Sequence, residues 1–108
     1  MLRDDLSRLR ASAEAEVSVL AQQLEALFSA SRDSNADDEH DPEGATIGFE
    51  RAQLTALLAA ARERISEVDD ALGRMDTGTY GRCDGCRRPI AEERLAARPF
   101  ARRCIACA

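Results

Sequence analysis

Apolar side chains recur through the first thirty residues at Leu2, Leu6, Leu9, Ala13, Val17, Leu20, Leu24, Leu27 and Phe28. Steps of three and four residues place them on one face of an α-helix. Neither Gly nor Pro interrupts the chain before Pro42. The pattern therefore predicts a helix over about 2–31, roughly 45 Å long at 1.5 Å per residue. A second stripe, Leu54, Leu58, Ala61, Ile65, Val68, Leu72 and Met75, alternates steps of four and three. This is the seam of a coiled coil. Its helix is expected to start at a Thr46 cap or nearer Phe49, to weaken at Gly73 and to end at Gly78. Glu50, Arg62, Glu63, Arg64, Glu67, Asp69 and Asp70 fill its outer face.

Two seams of similar length joined by a short linker predict a long antiparallel helical hairpin, because short connections join antiparallel neighbours. The competing arrangement is a parallel homodimer of single helices; the hairpin reading takes the chain as a monomer. The linker spans about 31–45 and carries six acids between Asp33 and Glu43, with no arginine among them. It is either a solvated turn or an acidic tip presented at the end of a stiff arm.

Composition narrows the picture. Of 108 residues, 20 are Ala and none is Trp, so a large globular core cannot form and a helical seam, a metal or a partner must supply stability. A deep catalytic pocket is not expected, and the chain is read as non-enzymatic. All 15 basic residues are Arg, and the net charge of −5 argues against a general nucleic-acid coat or a basic membrane anchor. Charged residues interrupt any N-terminal apolar run, and no run approaches a membrane span, so a soluble cytoplasmic protein is expected. The charge is unevenly placed. Residues 1–81 hold 17 acids and 8 Arg, a net −9, whereas residues 82–108 hold 3 acids and 7 Arg, a net +4.

All four cysteines fall in that basic segment, as Cys83-x-x-Cys86, a gap of 17, and Cys104-x-x-Cys107. Thiolates two residues apart grip one ion from a tight turn, and two such turns complete the tetrahedron that Zn²⁺ prefers. Disulfides would need an oxidising compartment, and a thioredoxin-like pair would need a βαβ context that is missing. Four Cys ligands leave no open position for a catalytic water, so the expected Zn²⁺ is one structural ion. Gly81 and Gly85 are expected to relieve the backbone around the first turn. His40 reads as a loop residue. The arginines of the segment read as a solvated face, several of them paired with Glu92 and Glu93.

The run Gly78-Thr79-Tyr80-Gly81-Arg82-Cys83, with Cys86, Ile90, Arg94-Leu95, Ala97, Pro99, Cys104 and Cys107, resembles the zinc finger of the DksA/TraR family. The closest stretch is Arg94-Leu95-Ala96-Ala97-Arg98-Pro99. The resemblance implies residues 1–77 as a coiled-coil hairpin with its tip at about 31–45, and 78–108 as a finger. It also implies a transcription factor that binds RNA polymerase directly, with the coiled coil in the secondary channel and the tip near the catalytic centre. Sequence-specific DNA binding and membrane association are not implied. An ungapped count places the family's Asp-x-x-Asp-x-Ala tip motif on His40, Glu43 and Ala45, with Asp38-x-x-Asp41 as a second register. Asp41, Glu43 and Ala45 are the expected working tip. Arg87, Arg88, Arg94 and Arg98 are candidate polymerase contacts, and Arg87 stands where the family has Gly. The positions that bind the alarmone ppGpp fall on Ala60, Arg64 and Glu67, and an acid at Glu67 repels a polyphosphate, so little ppGpp synergy is expected. Two other readings remain at this point: a nucleic-acid-binding zinc ribbon, and a zinc-stapled interaction or redox-sensing module.

Overall fold

A computed structural model of the chain describes residues 2–33 and 42–108, with side chains at 2–30 and 45–108. The chain is mainly α: α1 runs Leu2–Asp33, α2 Pro42–Thr77 and the short α3 Glu92–Ala97. Among the described residues the only extended pairing is an isolated antiparallel bridge between Arg82 and Pro89. No described helix is long and apolar enough to cross a membrane.

α2 begins at Pro42, earlier than the expected start at Thr46 or Phe49. Proline is favoured at the first helical position because the N–H it lacks would have no intrahelical partner. Gly44 and Gly48 are then carried inside the helix at a modest propensity cost. The other end falls as expected. Gly78 follows Thr77 with φ +78°, and the N–H groups of Thr79 and Tyr80 both donate to Arg74 O at 2.9 and 3.1 Å. A left-handed residue after the last turn lets the chain fold back and satisfy carbonyls that the helix leaves open.

The chain divides into two compact units. One combines Met1–Ser12 with Arg64–Ala108. In it Leu6, Val68 and Ala71 are fully buried, packed with Leu9, Leu72, Met75, Tyr80 and Phe100. Arg3 pairs with Asp76 at 2.6 Å, and Arg10 with Asp69 at 2.6 Å. As the α1 partner advances by seven residues the α2 partner retreats by seven, so the two helices run antiparallel. The other unit, Ala13–Glu63, is built on Leu20, Leu58 and Ala61, with Val17, Leu24 and Leu54 against them. There the Arg51 guanidinium lies over the Phe28 ring, 5.4 Å from its centroid.

Two consequences can be measured. Leu6→Ala removes the largest aliphatic side chain that is fully buried, and chemical denaturation is expected to show a loss of about 3 kcal/mol. The Asp69 carboxylate is held below its ordinary value of 3.8 by its hydrogen bond from Arg10. A depressed folded value stabilises the protein above the unfolded value, and that contribution disappears as pH falls through the folded value. The stability difference between wild type and Asp69→Asn is therefore expected to be present at neutral pH and to vanish in acid. A difference that persists at the lowest accessible pH would contradict this assignment.

Candidate metal centre

The finger starts where α2 ends. Gly81, at φ +82°, turns the chain into a short antiparallel loop. Ile90 N–H donates to Gly81 O at 2.7 Å, and Cys83 N–H donates to Arg88 O at 2.9 Å. Arg87 N–H donates back to Cys83 O at 2.9 Å, which closes the first Cys-x-x-Cys turn. The second turn repeats this pattern, with Cys107 and Ala108 N–H both donating to Cys104 O. Asp84 N–H donates to Arg102 O at 2.8 Å and ties one turn to the other.

Side chains from outside the turns hold the second one in place. The Arg74 guanidinium donates to Ala101 O and Phe100 O, each at 3.3 Å. Tyr80 Oη donates to Pro99 O at 2.6 Å. From α3, Arg94 Nε donates to Arg103 O at 2.8 Å. The supporting role of Arg74 has one sequence signal, a basic residue in the last turn of a helix. Its long reach to residues 100 and 101 has none.

This scaffold brings the four sulfurs within 4.8 Å of one another, with Cys86 and Cys104 Sγ 3.7 Å apart. A tetrahedron with Zn–S bonds of 2.3 Å has edges of about 3.8 Å, so the spacing fits a four-thiolate zinc site. It is far longer than a disulfide bond of about 2.05 Å, and all four cysteines are free. Cys83 is buried, Cys104 and Cys107 are half-buried and Cys86 is exposed. The centre is that of one structural Zn²⁺.

The thiols are not equivalent. Backbone N–H groups of Cys104 and Cys86 favour the Cys83 thiolate and pull its pKa down to about 6, and Gly85 N–H, 3.3 Å from the sulfur, adds to this. Cys107 is pushed up to about 12, because hydrogen bonding to the Cys83, Cys104 and Cys86 sulfurs holds its proton in place. Zinc must displace the protons that remain, so acid opposes binding.

The glycines act differently from the expectation. Gly81 does have a positive φ, but Gly85 does not. Its contribution is space: a Cβ there would lie 3.0 Å from Cys107 Sγ and 3.2 Å from Cys107 Cβ. The strained residue in the first turn is Arg87, with φ +63°. A left-handed conformation costs a non-glycine residue about 1 kcal/mol or more.

The candidate polymerase-contact arginines do not form one cluster. Arg87 and Arg88 are exposed on the first turn, Arg94 is half-buried on α3 and Arg98 caps the C-terminus of α3. Arg87 lines a cavity of about 470 Å³, while Arg94 and Arg98 line a different one of about 630 Å³ with Glu67, Asp70 and Arg103. The expected pairing with Glu92 and Glu93 is replaced by contacts of Arg102 with Asp84 at 3.0 Å and Asp70 at 3.7 Å. Arg102 and Asp84 are already joined through their backbones, whereas Glu92 and Glu93 occupy the first turn of α3. Of the expected tip, Ala45 is exposed on α2 and Glu43 lies in its first turn. Asp41, like His40, lies outside the described residues.

Comparison with known proteins agrees with this geometry. Residues 78–108 match the prokaryotic dksA/traR C4-type zinc finger, and the chain carries a finger of the DksA/TraR family. Over 98% of its length the chain superimposes on 76% of the transcription factor DksA2 from Pseudomonas aeruginosa, with a TM-score of 0.82 and 27% identity. General stress protein 16O of Bacillus subtilis is 38% identical over 69 residues, 64% of this chain and 42% of that protein. The RNA polymerase-binding transcription factor DksA of Caulobacter vibrioides is 48% identical over 40 residues, 37% of this chain and 28% of that protein. The chain thus spans less than half the length of these two curated relatives.

The close approach at Gly85 generates a test. In a competition titration, Gly85→Ala is expected to weaken zinc affinity about tenfold or more, in the range seen when the surroundings of a metal site are disturbed. Both proteins are expected to lose affinity throughout as pH falls, because zinc must displace the protons of the remaining thiols, and more steeply below about 6, where Cys83 is protonated too. Unchanged affinity in the variant would show that Cys107 moves aside freely.

Proposed function

We propose that this protein is a transcription regulator that acts by binding RNA polymerase directly and catalyses no reaction itself. The observation that carries this reading is the likeness to a DksA-type transcription factor over 98% of the chain, helices and finger together. A zinc ribbon acting alone on nucleic acid would not need paired helices of 32 and 36 residues. In the proposed mode the paired helices enter the secondary channel of the polymerase and present the acidic segment 31–45 near the catalytic centre. There Asp41 and Glu43 meet bound Mg²⁺ and basic side chains and alter initiation by charge and hydrogen bonding. Ala45 leaves room for close approach. Arg87, Arg88, Arg94 and Arg98 on the finger are the proposed contacts at the channel mouth.

A monomer working in the cytoplasm suits this mode, because one arm fills one channel. Sequence-specific DNA recognition has no part in it. Glu67 beside Arg64 makes ppGpp a poor co-ligand, since an added carboxylate repels a polyphosphate.

The test pairs polymerase pull-down with an initiation assay on a ribosomal promoter. Wild type and the Asp41→Asn/Glu43→Gln variant are both expected to bind polymerase, with only the wild type changing transcript yield. If neither protein binds polymerase the reading fails at its first step. If both change initiation equally, the acidic tip is not the working part.

A further inference from the structure

One group of side chains near the zinc centre holds more positive charge than the folded chain pairs with carboxylates. The cavity of about 470 Å³ beside Cys83 is lined by Arg74, Thr79, Arg82, Asp84, Arg87 and Arg102. Four of these are guanidinium groups and one is a carboxylate. Arg102 is paired with Asp84 at 3.0 Å. Arg74 donates to carbonyl oxygens, which satisfy its N–H groups but leave its charge uncompensated. Arg82 and Arg87 are exposed, and their side chains have no hydrogen bond or ion pair among the described residues. Three positive charges therefore remain around one concave surface, with the Thr79 hydroxyl at its edge.

The zinc site does not account for them. Four thiolates and Zn²⁺ carry about −2 together, whereas Arg74, Arg82 and Arg87 carry three positive charges and the Arg102–Asp84 pair is neutral, so a surplus of about +1 remains at the cavity. Arg87 also holds its place at φ +63°, where glycine would sit without strain. A residue that opposes the backbone it occupies, and makes no side-chain hydrogen bond or ion pair in return, is better explained by a ligand than by the fold.

We propose that this cavity is a binding site for phosphate groups, with Arg82 and Arg87 as its principal donors and Arg74 as a fixed third charge. Guanidinium forks match the oxygens of phosphate and hold it through paired, charge-assisted hydrogen bonds. The volume lies within the range of small-ligand pockets and exceeds that of a single carboxylate. The phosphate can belong to a free pyrophosphate or nucleotide or to a nucleic-acid backbone. The recognition chemistry is the same, and neither source requires base-specific contacts. Asp84 limits the site by placing a carboxylate in its wall, and Arg102 is engaged by Asp84 and Asp70. The site uses Arg74 from the end of α2 together with the finger's Arg82 and Arg87, and its test needs no polymerase.

The test uses the zinc-loaded full chain, titrated by calorimetry with pyrophosphate, with ADP and with a short DNA duplex. Arg82→Gln and Arg87→Gly are each expected to weaken binding about tenfold, the usual scale for one charged hydrogen bond. Asp84→Asn is expected to strengthen it by removing a negative charge from the cavity wall. The Arg87→Gly variant separates binding from folding, because relief of the positive φ should leave zinc content unchanged and thermal stability equal or higher. Saturation by pyrophosphate that duplex does not displace identifies a free-phosphate site. Binding of duplex alone, with a steep salt dependence, identifies the backbone as the source. Failure of all three probes to bind the wild type would overturn the proposal. So would Arg82→Gln and Arg87→Gly proteins that bind like wild type.

Discussion

Four sulfur atoms drawn within 4.8 Å of one another are the constraint on which the C-terminal quarter of this protein depends. The segment could not organise itself by burial. Between residues 82 and 108 only Cys83, Ile90 and Ala101 are buried, and each removes little apolar area from water. The backbone link from Asp84 to Arg102 joins two turns that are far apart in sequence, and it forms only once the turns are brought together. A shared ion does that, so metal binding energy serves as folding energy here.

The same centre is continuous with the helix ends in its own unit. Tyr80 and Phe100, which flank the finger's two halves, pack on the Leu6, Val68 and Ala71 cluster. Tyr80 completes its burial by donating to Pro99 O, and Arg74 lies 6.0 Å from the Tyr80 ring centroid while it holds the carbonyls of residues 100 and 101. Apolar contact supplies the bulk of the joint, and these directed bonds fix its orientation. Loss of metal would therefore not stay local. The aromatic side chains that cover Leu6 are held by the segment that the metal organises.

Much of this was legible in the chain. The period of the apolar stripes identified both long helices, and Leu6, Leu20, Leu58, Ala61 and Val68 are buried as the stripes require. Cysteine spacing alone marked the four ligands. Ala71 escaped the reading because it lies off the four-three seam, yet it is fully buried where its small side chain admits close packing. α2 starts earlier than Thr46 because a capping side chain marks only one way to begin a helix, and the fixed φ of Pro42 provides another. The exchange of roles between Gly85 and Arg87 was not legible at all. Which residue needs space and which takes a positive φ is settled by the approach of Cys107 from the second turn, a contact between residues 22 apart in sequence. Arginine pairing was misplaced for a related reason. Glu92 and Glu93 are the near neighbours in sequence, whereas Asp84 reaches Arg102 only through the folded finger.

The arginines then divide by what holds them. Arg3, Arg10 and Arg102 meet carboxylates, while Arg74 and Arg94 meet backbone carbonyls, so each has a place in the folded structure. Like Arg88, Arg98 and Arg103, Arg82 and Arg87 meet neither among the described residues, and these two share one cavity. Guanidinium stays charged at any pH the fold survives, so their repulsion from each other and from Arg74 cannot be relieved by losing a proton. Folding alone would favour their replacement by neutral residues, with glycine best suited to position 87. The charge persists on the one part of the molecule whose net sign is opposite to the rest. An acidic chain that gathers its surplus positive charge in the segment holding its metal centre carries two segments of opposite net sign, each suited to a partner that the other would repel.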